Sequence, residues 1–425
     1  MNYLLIGNGF DLHYNLPTSY LCFLVTIDHL RSNDFCSPIN VGEVFKVLST
    51  KCKAIENSYS NYKDAYDSLN VDFEQISTIM NNGHKNCWVK YLIEAYNEDV
   101  GWIDFENEIN NVLIDFAILF DNVKELKPSI LVSNYDSSKP YSILDSHYVS
   151  KTIKCFDYFY SVTKNGYDLK KHKKQFFKYD GFHDKSTLNK EAIIEGLINE
   201  LEDLAKMIRE YLKSFVEPIY KDCIEKSNDL DDFERVINFN YTKTFESVFF
   251  DDEKKICHLH GNVDSKLILG VNSNEDDEYP KVDDTFMCFK KYYQRQILRT
   301  NDKYFRFYRE KEKDDYSLII NNSENEPIDE TYSVHVFGHS LDPNDETVIK
   351  MFFEKATHIV IYYHSEEARI QYIKNIIRMF GEKGFNELMI KKHLDFLPIE
   401  ELFNKKRFKK LSTLDKINLM KTFTF

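Results

Sequence analysis

Two hydrophobic periodicities divide this 425-residue chain. Short apolar runs occur at YLLI (3–6), RVINFN (235–240), ICHLHG (256–261), LILGV (267–271), SLII (317–320), SVHVFG (333–338) and HIVIYY (358–363). Several are rich in Val and Ile, as buried strands are. Between the first two, residues 18–228 place apolar side chains at i, i+3, i+4, as in DFENEINNVLIDFAILF (104–120) and EAIIEGLINELEDLAKMIREYLKSFVEPIY (191–220). That spacing predicts mainly helices, with Pro218 ending or kinking the second. Helical segments also separate the later runs, at 343–356 and 366–380. The alternation predicts an α/β protein with a doubly wound, mostly parallel sheet. The first strand joins that sheet from far away in sequence. The expected organisation is a discontinuous sheet domain, 1–17 with 229–380, a large helical insertion, 18–228, and a basic helical tail, 381–425, in which NKKRFKK (404–410) is a solvated face.

Composition narrows the function classes. The net charge of −14 argues against a protein that coats nucleic acid. The eight cysteines (22, 36, 52, 87, 155, 223, 257, 288) are scattered, with no Cys-x-x-Cys. This predicts reduced, mostly buried thiols rather than a disulfide framework or a zinc ribbon. No stretch approaches 18 apolar residues, and the first residues lack the basic lead and apolar core of a signal peptide. A cytoplasmic protein without membrane association is expected.

The first strand stops at Gly7-Asn8-Gly9. Glycines permit a sharp turn and a close approach of backbone N–H groups to a ligand. A helix beginning just afterwards turns its positive end toward an anion, an arrangement that suits a phosphate or diphosphate. The third glycine of G-x-G-x-x-G is missing, since Leu12 takes its place, so an ordinary strand-to-loop turn is the competing reading. Three later runs add to the picture. NFNYT (238–242) puts Asn240 near a strand's carboxyl end, HLHG (258–261) does so for His260, and GHSLDPND (338–345) supplies a second glycine turn with Ser340. In a doubly wound sheet all these ends face one crevice.

These motifs carry a family resemblance. GNGFDLHYNLP, NFNYT, HLHG and GHSL resemble, in turn, the glycine turn, the ribose-facing asparagine segment, the catalytic histidine segment and the glycine-x-serine turn of sirtuin-like proteins. The ordered set LLIGNGFDLHYNLPTSY, WIDFE, NFNYTKTFE, HLHGNVD, LILGVN and VHVFGHSLDPND…IVIYYHS resembles the AbiH family of bacterial phage abortive-infection proteins, from residue 1 to about 380. The resemblance implies a Rossmann-like, sirtuin-like sheet and a role in phage defence. Related sirtuin-like defence proteins hydrolyse NAD. The lack of a four-cysteine zinc module argues against protein deacylation. Thr242 stands where sirtuin-like segments often carry aspartate, and Asp11 or Glu246 is a candidate replacement.

On this basis NAD or a related nucleotide is the expected substrate or ligand, with no required cofactor. The expected grip comes from Gly7, Asn8 and Gly9, with Asp11, Thr242, Gly338, His339 and Ser340 in the binding set. Cleavage of the nicotinamide–ribose bond passes through an oxocarbenium-like transition state. Asn240 would hold the ribose hydroxyls or the water, and His260 would act as general base. A structural histidine and a turn asparagine are the competing readings. Neither His258/His260 nor His335/His339 is completed by an acid or cysteine cluster, so no metal site is expected. In GWIDFENEI (101–109), Asp104 and Glu108 are expected on one helical face. Asp104 is either a cap or, with Glu106, a site residue. His364 is a further candidate beside the nucleotide. A non-hydrolytic nucleotide sensor or an interaction protein is the alternative function. A phage-derived or host trigger and a homo-oligomer are compatible partners.

Overall fold

The computed structural model describes residues 2–98, 104–122, 151–156, 161–163, 166–168, 174–180, 185–230, 232–249, 255–272, 284–300 and 332–403. Its centre is a six-stranded sheet of β1 (Asn2–Ile6), β2 (Arg235–Asn238), β3 (Ile256–His258), β4 (Ser333–Phe337), β5 (His358–Tyr363) and β6 (Leu394–Pro398). The order across the sheet is β6-β5-β4-β1-β2-β3, and each neighbouring pair is parallel. The order reverses between β1 and β4, which pair from Asn2↔Ser333 to Ile6↔Phe337.

Both faces of the sheet are covered, which is why its strands read as continuous apolar runs. Tyr3, Leu5, Val334 and Val336 pack with Val348, Ile349, Phe352, Tyr372 and Ile376. The last five come from two helices, Glu346–Lys355 and Glu366–Lys391. Leu4, Ile6, Val236, Phe337 and Val360 alternate to the other face, against Phe10, Phe245, Val248 and Phe249.

Five helices position the site: α1 (Asn8–His13), α2 (Tyr20–Ser32), α3 (Phe105–Asn122), α4 (Lys190–Tyr211) and α5 (Lys291–Leu298). Between β1 and β2 the described residues are mainly helical, with short two-stranded ribbons such as Ile39–Asn40 with Asn70–Val71. Their core, with Phe23, Phe45, Trp88, Phe105 and Tyr211, is separate from the two sheet-face cores. Pro218 lies in the first turn of a helix at Glu217–Asp222, after a π-helical turn at Leu212–Val216 that follows α4. No helix among the described residues is long and apolar enough to cross a membrane.

Several expectations are corrected. LILGV (267–271) is not a sheet strand. Leu267, Leu269 and Val271 join the helical core, and the Gln294 amide takes both the N–H and the carbonyl of Leu269. A side chain thus does there what a neighbouring strand would do. The sheet does not end at 380, and the following segment is not wholly helical. The helix from Glu366 continues past a break at Gly381 to Lys391, and β6 then adds an edge strand, Ile359↔Leu394 to Tyr363↔Pro398. SLII (317–320) and NKKRFKK (404–410) lie outside the described residues. All eight cysteines are free. Cys22, Cys52, Cys87 and Cys257 are buried, whereas Cys36 and Cys223 are exposed.

Candidate functional site

At the carboxyl ends of β1, β2 and β4 lies a cleft of about 620 Å³, within the usual range of small-molecule sites. Of the residues nominated from the sequence, Gly7, Asn8, Gly9 and Asp11 from the first turn, Asn240 and Thr242 after β2, His260 after β3, Gly338, His339 and Ser340 after β4, His364 after β5, and Asp104 and Glu106 at the start of α3 line it, whereas Glu246 does not.

The floor is made by two glycine turns locked together. Gly7 N–H donates to the Phe337 carbonyl (3.2 Å) and Gly9 N–H to the Gly338 carbonyl (2.7 Å). A Cβ on Gly7 would stand 2.7 Å from His339 Cα, and one on Gly9 would stand 2.8 Å from Gly338 Cα. Gly338 has φ +68°, and its Cβ would come within 2.2 Å of the Phe10 nitrogen. The glycines are therefore required by the packing of one turn on the other. This alters the expected diphosphate grip, because two of the three amides assigned to it are already engaged. The N–H groups of Asn8, His339 and Ser340 have no partner among the described residues. They are the donors left to an anion.

Asn240 is held by the Asn238 side chain, which accepts the Asn240 N–H at 2.8 Å in a turn that reverses the chain after β2. Its Nδ2 donates to the Gly7 carbonyl (2.9 Å), so this side chain braces the first glycine turn. Its Oδ1 has no partner among the described residues. Thr242 donates to Asp11 Oδ2 at 2.6 Å, so a carboxylate does stand beside the threonine. Asp11 is 1 % exposed, and its Oδ1 is sealed from solvent without a hydrogen bond. Burial pushes its carboxyl up to about 7, against the hydrogen bond from Thr242. His258, by contrast, lies outside the cleft lining. Its Nδ1 donates to the Asn240 carbonyl (3.1 Å), and its Nε2 meets Glu246 in a short contact.

The wall opposite is a buried charge cluster centred on Asp345, a residue that the sequence reading did not nominate. Asp342 accepts the Asn344 N–H (2.9 Å) and caps a short helical turn with Pro343 in its first position, which aims Asp345 inward. Asp345 Oδ1 lies 3.1 Å from Lys291 Nζ and 3.4 Å from Arg295 Nη2. Lys291 is fully buried and also reaches Glu106 Oε2 at 2.6 Å. Burial opposes the ionisation of Asp345, yet Lys291 holds its carboxyl well below the usual range. Lys291 stays charged because Asp345 and Glu106 outweigh its burial. Glu106, buried beside a lysine that Asp345 already neutralises, is pushed up to about 8.

The same cluster fixes the two cleft histidines. Arg295 Nη2 and Asp345 Oδ1 lie 2.9 Å and 3.2 Å from His260 Nε2, so that nitrogen is engaged by the cluster in either tautomer. Burial pushes His260 down to about 4, so it is neutral at neutral pH. No described residue hydrogen-bonds its Nδ1. Nδ1 is therefore the ring nitrogen left to a ligand or water. His339 Nδ1 accepts the Leu341 N–H (2.9 Å), leaving its proton on Nε2, 3.4 Å from Asp345 Oδ2. Phe239 packs against both rings, with centroids at 5.7 Å and 4.1 Å.

Asp104 caps α3, accepting the N–H groups of Glu106 (3.0 Å) and Asn107 (3.2 Å). Glu108 does not line the cleft and takes a short hydrogen bond from the Tyr91 hydroxyl. Instead Glu106 joins the Lys291 cluster. Stacking of Tyr20 on Phe105, with centroids 4.0 Å apart, holds α3 against α2. His364 and Ser340 are exposed at the rim.

A family model described as bacteriophage abortive infection AbiH matches residues 3–364. The chain belongs to the AbiH family. Membership implies a role in abortive infection by phage. No curated protein and no solved structure matched the chain. The AbiH match spans both the glycine floor and the charged wall, from Gly7 to His364.

Proposed function

We propose that the cleft binds a dinucleotide of the NAD class on a sirtuin-like, Rossmann-like sheet into which the helical region after β1 is inserted. We further propose that the protein cleaves the nicotinamide–ribose bond during abortive infection. The observation that carries this reading is the convergence of separate stretches of chain on one cleft where the strand order reverses. Numbered along the sheet's own strands, the order is 3-2-1-4-5-6. That is the order of dinucleotide-binding sheets, which take their ligand at this crevice.

In this reading the unengaged N–H groups of Asn8, His339 and Ser340 hold the diphosphate. Asn240 Oδ1 accepts from a ribose hydroxyl, and His260 Nδ1 hydrogen-bonds the ribose or the attacking water. Purified protein is incubated with NAD, alone and with extract of phage-infected cells, and nicotinamide is measured. Release that falls by about 10²-fold or more in His260→Ala supports the reading. NAD-dependent thermal stabilisation without release supports a second reading, a non-hydrolytic sensor of NAD or ADP-ribose. That second reading draws on the engaged Nε2 of His260.

A further inference from the structure

We propose that Glu106 is the catalytic carboxylate of this cleft, acting as general base toward the water that attacks the ribose. The inference rests on the NAD-cleavage reading and supplies the group which that reading lacks. Hydrolysis needs an acceptor for the water's proton, and the acidic groups differ in what they offer. Asp11 presents one oxygen to Thr242 and has the other sealed. Asp345 has both oxygens inside the cluster of Lys291, Arg295 and His339. Asp104 and Asp342 each spend only Oδ1, on backbone N–H groups as caps, and no ion pair with a described cation fixes either side chain.

Glu106 is different. One oxygen is fixed by Lys291 at 2.6 Å, while the other has no hydrogen bond from any described residue and is not sealed. Its side chain retains 15 % exposure at the cleft wall. A carboxylate anchored by one oxygen and open by the other suits proton abstraction, because the rotamer is set without consuming the basic lone pairs. Lys291 and Asp345 act here as positioning residues. Lys291 orients Glu106, and Asp345 prevents the lysine from claiming the carboxylate alone.

The step balances. The water oxygen bonds to the ribose anomeric carbon as the glycosidic C–N bond breaks, and nicotinamide leaves with that electron pair. One water proton passes to Glu106 and then to solvent. The products are nicotinamide, ADP-ribose and a proton. The base also stabilises positive charge on the ribose as it develops.

The test compares wild-type, Glu106→Gln and Glu106→Asp in the full chain. The readouts are nicotinamide release against pH and NAD-induced thermal shift. The expected result is a kcat loss of about 10²–10⁴-fold in Glu106→Gln, with the NAD-induced shift retained. Wild-type release climbs along an acidic limb to about pH 8, where Glu106 gives up its proton; the residual activity of Glu106→Gln lacks that limb, and Glu106→Asp recovers part of the rate. A merely structural ion pair would move stability and leave the limb in place. Wild-type release with Glu106→Gln within about threefold of it overturns the assignment alone. A wild-type protein that releases no nicotinamide, with or without infected-cell extract, overturns the NAD-cleavage reading and this assignment with it.

Discussion

The floor and the wall of the cleft are built on opposite principles. The floor is neutral backbone: Gly7, Gly9 and Gly338 pack turn on turn, and the Asn240 amide braces them. The wall is buried charge: Glu106, Lys291, Asp345 and Arg295 surround His260. The floor derives its geometry from steric fit, so it tolerates no added atom. The wall derives its geometry from mutual neutralisation, so it tolerates no lost partner. One cleft is therefore rigid on one side for reasons of shape and on the other for reasons of charge.

Substitutions that break each side rank accordingly. Gly338→Ala meets both a left-handed φ and a 2.2 Å clash with the Phe10 nitrogen. It should destabilise by on the order of 4 kcal/mol or more, read as a fall in the urea midpoint or as insoluble protein. Lys291→Met leaves Asp345 and Glu106 to face each other in the interior, at an expected loss of about 3–5 kcal/mol. The double variant Lys291→Met with Glu106→Gln should recover part of that loss in the same urea titration. Independent effects that simply add would contradict the cluster.

Asp11 sharpens the contrast, because it is a charge site beneath the neutral floor. Its carboxyl is raised from 3.8 to about 7 by burial, so the folded state holds a proton that the unfolded chain has released. Stability should therefore fall as pH rises from about 4 to 7, and level off above. Asp11→Asn should flatten that slope and stabilise the protein at pH 8 by about 1–3 kcal/mol, once the weaker hydrogen bond to Thr242 is allowed for. Thermal melts at pH 5 and pH 8 compare the two. His260, pushed down to about 4, works in the other direction. Its neutral form favours folding, so that contribution is present above about 6.5 and is lost as pH falls toward 4. The smallest effect is expected at Asp104→Ala, which removes the cap of α3 and should cost about 1 kcal/mol in the same melts.

The two sides were also unequally legible. Asn240, His260 and Gly338 were visible because each follows an apolar run, where a polar or glycine residue can only mean a strand end. Asp342-Pro343 read as a helix entrance, but nothing distinguished Asp345 from the other acids near it. Lys291 and Arg295 lie one turn apart on α5, a spacing equally common on solvated helices. Only the fold reveals that this face is covered. LILGV misled because an apolar run records burial and not its hydrogen-bond partner, here the Gln294 amide. β6 went unnoticed because an edge strand with Asp395 and a terminal Pro398 lacks the continuous apolar character of the central strands. The amide roles of Gly7 and Gly9 failed for a related reason. A glycine motif predicts close approach, but not whether ligand or protein makes it.

The most direct test of a dinucleotide cleft at the β1/β4 reversal is a calorimetric titration of NAD into the wild-type protein, with ADP-ribose as competitor. The account predicts saturable binding at one site per chain, displaced by ADP-ribose and abolished by a Ser340→Trp substitution at the cleft rim in a variant that still folds. Absence of binding by both nucleotides, or binding that Ser340→Trp leaves unchanged, would contradict it.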